Sequence, residues 1–506
     1  MRLGTTAAAC VLWALCLHAC SGAAFEATIA IDPQSKGVQA NRMLLGSNVQ
    51  WVDGGDGLIA TRGADQRATT AVRQAATALR PTTLRYPGGS QSDTYRWRDG
   101  IGPNRGRSTH FFNHREQEVV FGTDEFLSLA GSLGAKPMLT VNLANGTAED
   151  AAEWIHYVNG AKRSADRVGL PRVDWWELGN EPYLKPDSQP DLVMTPDEFV
   201  RRTNEFIPAM RAADPSILIG VPLRSDSIGG RPATPFPGYN ENVLHGIKAQ
   251  FDFVSVHDAY APAVFDGHYS DGELYLALMA APLQVAEDLA ATRAAVRNAI
   301  GHELPIAITE WSALFTIGGN ADGYVASLAG ALYAADLIRM LAQEPGILAA
   351  HYWSWTGNGY FGAVSQSGRR RPVYYMLGVL NEVLRGEVLP SKIAGPMLTT
   401  PAVGYVARRR DVGAVTALAT RDGTLIRILA INKHLSEAAA LHITGLGALS
   451  ATYHVMIADR PFGGRDDQSE VKWSDAPIDI EGKQAIRATL PPHSAGFISV
   501  ELDKRL

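Results

Sequence analysis

The chain has 506 residues, of which 46% are hydrophobic and 19% charged, a globular composition that argues against extended disorder. A formal net charge of −6 offers no basic surface to a phosphate backbone, so nucleic acid is not an expected partner. The length exceeds one ordinary domain, and a barrel of about 250 residues or more with one smaller module would account for it.

Residues 1–24 read as a leader. Arg2 precedes an apolar run from Ala7 to Leu17, too short to span a bilayer but suited to a secretory signal. Its end, Leu17-His18-Ala19-Cys20, resembles a bacterial lipobox, in which Cys20 would be lipidated and anchor the protein to a membrane. Ordinary cleavage near Ala23-Ala24 is the alternative. All three cysteines, Cys10, Cys16 and Cys20, lie in this leader, so an exported mature chain is expected to carry no internal disulfide. Its destination would be the periplasm, the outer membrane or the medium.

Next comes a strand-like run, Ala27–Ile31, closed by Asp32-Pro33 and standing outside the pattern that follows. From about residue 41 strands and helices alternate. Strands are expected at Met43–Trp51, Thr82–Tyr86, Pro137–Asn142, Val173–Gly179, Ile217–Pro222, Phe251–Val256, Pro305–Thr309 and Leu348–Trp353. Helices are expected over Ala64–Leu79, from Thr123 to a stop at Gly134, from Thr147, and from the capping box Thr195-Pro196-Asp197-Glu198 to about Ala213. Longer Ala/Leu-rich helices follow around Leu276–Ile300 and Tyr324–Leu341, and a last one spans Val373–Leu384. Eight such pairs predict an α/β fold, a (β/α)8 TIM barrel over 41–387. After about Leu389 the pattern changes to short strand-like runs, Val412–Ala419 and Leu425–Ile431 around an Arg421-Asp422-Gly423 turn, which predicts a C-terminal antiparallel β-sandwich over 388–506.

Two strands deliver carboxylic acids to the barrel mouth: Trp176-Glu177-Leu178-Gly179-Asn180-Glu181-Pro182 and Ile308-Thr309-Glu310-Trp311. Glycoside hydrolysis needs a protonated carboxyl for the leaving oxygen and an ionised one for the oxocarbenium-like centre, and like charges placed together cannot both ionise easily. An isolated glutamate is more often a solvated or salt-bridged group. Joint placement after the fourth and seventh strands favours chemistry, with Glu177 one layer below, where pairing with an arginine is expected.

Asn180-Glu181 and Glu310 resemble the acid/base and nucleophile of clan A glycoside hydrolases. Leu84-Arg85-Tyr86-Pro87-Gly88-Gly89, Tyr95-Arg96-Trp97-Arg98-Asp99-Gly100-Ile101-Gly102-Pro103 and Phe121-Gly122-Thr123-Asp124-Glu125-Phe126 are similar to glycoside hydrolase family 51, the α-L-arabinofuranosidase family. The resemblance implies double displacement with retention, Glu181 as acid/base and Glu310 as nucleophile, and pairing of the N-terminal strand over 25–40 with the sandwich. It further implies that Asn180 contacts the sugar, that Arg85 pairs with Glu310, and that His257 and Tyr260 orient the nucleophile. Asn142, Trp311, Trp353 and Trp355 are expected sugar contacts, because indole faces pack on the apolar faces of sugar rings.

No cofactor is expected. His110 and His114 have metal-like spacing without a helix to align them, Gly229-Gly230 and Gly318-Gly319 are turn material, and the Asn145-Gly146-Thr147 sequon carries no functional reading. The chain departs from the family pattern at Pro182-Tyr183, where Met-Asp is usual, and at Thr309, where Asp is usual. Asn-Glu-Pro is shared with clan A families acting on β-linked pyranosides, which keeps a β-glycanase or β-glycosidase open. A carbohydrate-binding surface lipoprotein with a dead barrel is the reading from another class.

Overall fold

The computed structural model describes residues 24–61, 65–160, 169–184, 189–225, 236–257, 259–264, 268–313, 322–356, 361–465, 470–482 and 484–503. The leader with its cysteines and the glycine pairs at 229–230 and 318–319 fall outside them.

Eight parallel strands close into a barrel: Gly46–Asn48, Thr83–Tyr86, Lys136–Val141, Trp175–Leu178, Leu218–Pro222, Phe253–Val256, Ile306–Ser312 and Ile347–Tyr352. Closure comes from pairing of the eighth strand with the first, His351 opposite Gly46. Most of these segments are short runs buried along their whole length, as expected of strands with side chains inside and helices outside. Helix starts are local chemistry. Asp65, Thr147 and Thr195 each accept a backbone N–H of the first turn, and Ser270 and Glu273 form a reciprocal box at the head of the long Asp271–Ile300 helix.

The first strand is shorter than the expected Met43–Trp51. Asn41 captures the Met43 N–H and starts a 3-10 turn over Arg42–Leu44, and beyond Asn48 the chain leaves the sheet. It then passes through Asp53, Gly54, Gly55, Asp56 and Gly57, all at positive φ, a path that the glycines make accessible. The seventh strand runs three residues past the expected Thr309, so Glu310 lies within it. The helix expected from Tyr324 starts at Leu328, preceded by a short turn over Asp322–Val325.

Two sheets form the C-terminal sandwich. The N-terminal strand Ala24–Ile31 belongs to one of them, lying parallel to Ala438–Thr444 and antiparallel to Ser391–Ala394, so that sheet is mixed rather than wholly antiparallel. The other sheet is a seven-stranded antiparallel layer; within it the expected Val412–Ala419 run is broken at Ala414, and only Val415–Asp422 joins Leu425–Asn432. Barrel and sandwich share one apolar core, in which Leu418, Leu429 and Ile431 meet the helix Leu328–Leu341. Across that seam the buried Lys433 ammonium donates to Asp336 and to the Met279 carbonyl at 3.0 Å.

Candidate active site

The floor of the barrel mouth is built around Arg85, whose side chain is fully buried. A buried guanidinium needs a partner for each donor. Nε donates to Glu177 Oε2 at 2.7 Å, Nη1 to Glu310 Oε1 at 2.9 Å and Asn48 Oδ1 at 3.0 Å, and Nη2 to Asn180 Oδ1 at 2.9 Å. One residue at the end of the second strand thus ties together the first, fourth and seventh. Glu177 also accepts from the Thr140 and Thr309 hydroxyls, each at 2.9 Å. Burial pushes its carboxyl up, but Arg85 and His257 outweigh that and leave it below the usual range, a fixed anion beneath the mouth.

Glu181 follows Gly179 at φ 75 and itself adopts φ 43, a left-handed conformation that costs a non-glycine residue on the order of 1–3 kcal/mol. Its main chain is pinned by the Gly179 N–H on the Val141 carbonyl at 3.2 Å and the Leu184 N–H on the Glu181 carbonyl at 2.9 Å. The Glu181 side chain is 23% exposed and that of Glu310 only 7%, so the first meets solvent and the second lies deeper.

His257 stands between them. Its Nδ1 is 3.0 Å from Glu181 Oε1 and its Nε2 is 3.9 Å from Glu310 Oε1. Nε2 is also 2.9 Å from the Thr309 hydroxyl, whose proton already goes to Glu177, so Nε2 carries a hydrogen. Burial lowers His257, but the charge of Glu310 and the hydrogen bond with Glu181 raise it by more, which favours an imidazolium donating on both sides. Tyr260 donates to Glu310 Oε2 at 2.8 Å. Both Glu310 oxygens are therefore held, one by Arg85 and one by Tyr260. Burial raises the Glu310 carboxyl above the usual range, against the opposing pull of His257 and Arg85.

The expectation that His257 orients the nucleophile changes in detail: its short contact is to Glu181, while Tyr260 and Arg85 hold Glu310. Asn180 is brought to the same cluster through Arg85. Two expected sugar contacts are corrected. Trp311 and Trp355 are 0% and 1% exposed and pack in the core, leaving no indole face for a ligand. Asn142 spends its side chain bracing its own turn, donating to the Tyr95 carbonyl at 3.1 Å and accepting the Asn145 N–H at 3.0 Å, and it lines a separate cavity of about 450 Å³ with Trp97. Trp353 is partly exposed and covers Gly89 at the mouth.

Asn48 and Thr140 have no signal in the sequence, and Thr309 stands out there only as a departure from the family pattern, because small polar residues inside apolar strands carry no functional signal until a buried ion is placed beside them. Asp93 was missed as well; it sits on the 3-10 segment Gly89–Thr94 after the second strand and shares with Glu181 a pocket of about 50 Å³. Among the described residues no group of three or more His, Cys, Asp or Glu is arranged to hold a metal. His110 and His114 sit at a hairpin tip, where Nδ1 of the first accepts the Phe112 N–H at 3.2 Å.

Known proteins resemble both the sequence and the shape. Residues 75–261 match the family model described as alpha-L-arabinofuranosidase 1 domain. Alpha-L-arabinofuranosidase C of Emericella nidulans is 33% identical over 159 residues, which is 29% of this chain and 30% of that relative, so the match spans less than a third of its length. In fold, a family 51 α-L-arabinofuranosidase from Bifidobacterium longum superposes with a TM-score of 0.76 at 22% identity, over 95% of this chain and 100% of that one. A family 44 xyloglucanase of Paenibacillus polymyxa superposes with 0.64 at 14% identity, over 94% and 100%. The central part of the chain is thus similar in sequence to α-L-arabinofuranosidases, and the whole shares the barrel-and-sandwich fold of the family 51 enzyme.

Proposed function

We propose that the protein is a retaining α-L-arabinofuranosidase acting on arabinose-containing polysaccharides or oligosaccharides. The observation that carries this reading is that Glu181 and Glu310, from strands four and seven, flank one imidazole at the barrel mouth, within the region matched by the family model or closing the site it begins. In the proposed reaction a Glu310 oxygen attacks the anomeric carbon as the bond to the leaving oxygen breaks, and Glu181 gives that oxygen its proton. A glycosyl ester of Glu310 results. Glu181, now ionised, takes a proton from water as it attacks the same carbon, which restores the Glu310 carboxylate. Arg85 and Tyr260 hold the nucleophile in a single orientation, and preorganisation of this kind removes the cost of ordering it during reaction.

A β-glycanase is the second reading. It is supported by Pro182 after Glu181 and by the xyloglucanase likeness in fold. Aryl α-L-arabinofuranoside, xyloside and glucoside assayed beside soluble xylan and glucan separate the two, and absence of release from the arabinofuranoside would sink the first. Glu310→Ala is expected to abolish turnover. Glu181→Ala is expected to spare substrates with good leaving groups and to respond to azide; full activity in both variants would overturn the assignment. Export is also proposed, on the basis of the Arg2 and Ala7–Leu17 leader, with lipidation of Cys20 to be read by mass spectrometry of the mature N-terminus.

A further inference from the structure

The helix that follows strand four reaches back and fastens the wall behind Glu181. Arg202, in the helix Pro196–Ala213, turns two donors onto main-chain carbonyls of the loop after strand three: Nε donates to Leu143 at 2.7 Å and Nη2 to Gly146 at 2.5 Å. The guanidinium carbon lies 5.5 Å from the centre of the Phe206 ring, one turn along the same helix. The Leu143 side chain is buried. It packs on Gly179 so closely that a Cβ there would stand 3.1 Å from the Leu143 Cβ, and the Gly179 N–H donates to the Val141 carbonyl at 3.2 Å. Two residues beyond Gly179 comes Glu181 at φ 43, the strained position of the site. Leu143 and Ala144 line the same small pocket as Glu181. Contacts therefore run from Arg202 through Leu143 to the turn that carries the acid.

We infer that Arg202 is a positioning residue for Glu181: by pinning the Leu143 and Gly146 carbonyls it holds the Leu143 wall against Gly179, and so keeps the left-handed turn that aims the Glu181 carboxyl at the leaving oxygen. This rests on the arabinofuranosidase reading and deepens it. A non-glycine residue at positive φ persists only where its surroundings fix it, and here the buried Leu143 wall is part of what does so. A guanidinium suits the task, because its planar fork gives charge-assisted hydrogen bonds to two carbonyls at once, which a single ammonium reproduces poorly. Glu310 is held separately, by Arg85 and Tyr260. Loosening the Leu143 loop should therefore disturb the proton donor and spare the nucleophile.

The test is Arg202→Met, which keeps the apolar stem and removes the donors, assayed by kcat/KM on arabinofuranosides with a good leaving group (dinitrophenyl) and a poor one (alkyl). A misaimed acid matters only where the leaving oxygen needs a proton. The expected result is that the ratio of the two kcat/KM values shifts by at least about tenfold against the poor leaving group, within the range that general acid catalysis supplies. Glu181→Ala, measured beside it, should shift the ratio in the same sense and further. The ratio does not depend on the folded fraction, and Arg202→Lys, which keeps the charge without the fork, is a second variant read in the same way. A smaller shift, or one in the opposite sense, would overturn the inference, because a merely structural role lowers both substrates alike. Wild type without turnover on either substrate would overturn the arabinofuranosidase reading and this inference with it. Wild-type turnover with a shifted ratio in Glu181→Ala but a flat ratio in both Arg202 variants sinks the role of Arg202 alone.

Discussion

Arg85 is the residue on which most of the site geometry depends, since a single guanidinium satisfies Glu177, Glu310, Asn48 and Asn180. A lysine ammonium has the charge but not the fork, and cannot reach four acceptors on three strands. Arg85→Lys is therefore expected to leave Glu177 partly uncompensated, with a stability loss of about 3–5 kcal/mol by denaturant melt and a fall in kcat/KM of about a hundredfold or more. A merely local change in KM would contradict the account. His257 offers a test by pH. Its folded-state value lies above the ordinary 6.5, so the stability it contributes is fully present below that pH and is lost as pH rises through the folded value. Wild type should therefore lose its thermal advantage over His257→Asn on going from acidic to alkaline buffer; a gap in Tm that stays constant with pH would show that the imidazole is neutral throughout.

At the scale of the element, the turn after the second strand matters as much as the strand. Gly89 sits at φ 62, and a Cβ there would lie 2.3 Å from the Trp353 ring. Gly89→Ala must displace either the indole or the segment that carries Asp93, and is expected to cost about 2–3 kcal/mol with a larger proportional loss of activity. Wild-type melting and turnover would show that this contact gives way freely. Which elements exist was legible from sequence because barrel strands are apolar runs framed by capped helices: Thr147, Thr195 and Gly134 end or begin helices where expected. What was not legible were departures made by single side chains. Asn41 stealing an N–H shortens the first strand, and Ala414 splits a run that looks continuous by composition. The site divides in the same way. The two glutamates stand out because an acid inside an apolar strand has a local signal, whereas Trp311 and Trp355 look like sugar platforms by residue type and prove to be core once their surroundings are known.

For the molecule as a whole, barrel and sandwich act as one body because their apolar surfaces merge and an ion pair crosses the seam. Asp336, against the opposing effect of burial, is held well below the usual carboxylate range by Arg339 and Lys433. Removing one partner leaves a charge stranded in the core, so Asp336→Asn is expected to lose about 3–5 kcal/mol, while Asp336→Leu with Lys433→Met together, which leaves only Arg339 without its partner, should recover most of that loss. A double variant as unstable as the single one would mean that the pair does more than neutralise itself. The order of folding units was partly visible in sequence, but the mixed sheet was not, because only pairing of Ala24–Ile31 with Ala438–Thr444 across more than four hundred residues reveals it. The central claim concerns the chemistry at the mouth, and trapping tests it most directly. Glu181→Ala, incubated with dinitrophenyl α-L-arabinofuranoside and quenched in the steady state, should yield a protein carrying one pentosyl group, mapped by peptide mass spectrometry to Glu310. An adduct on any other residue, or turnover with inversion and no adduct at all, would contradict it.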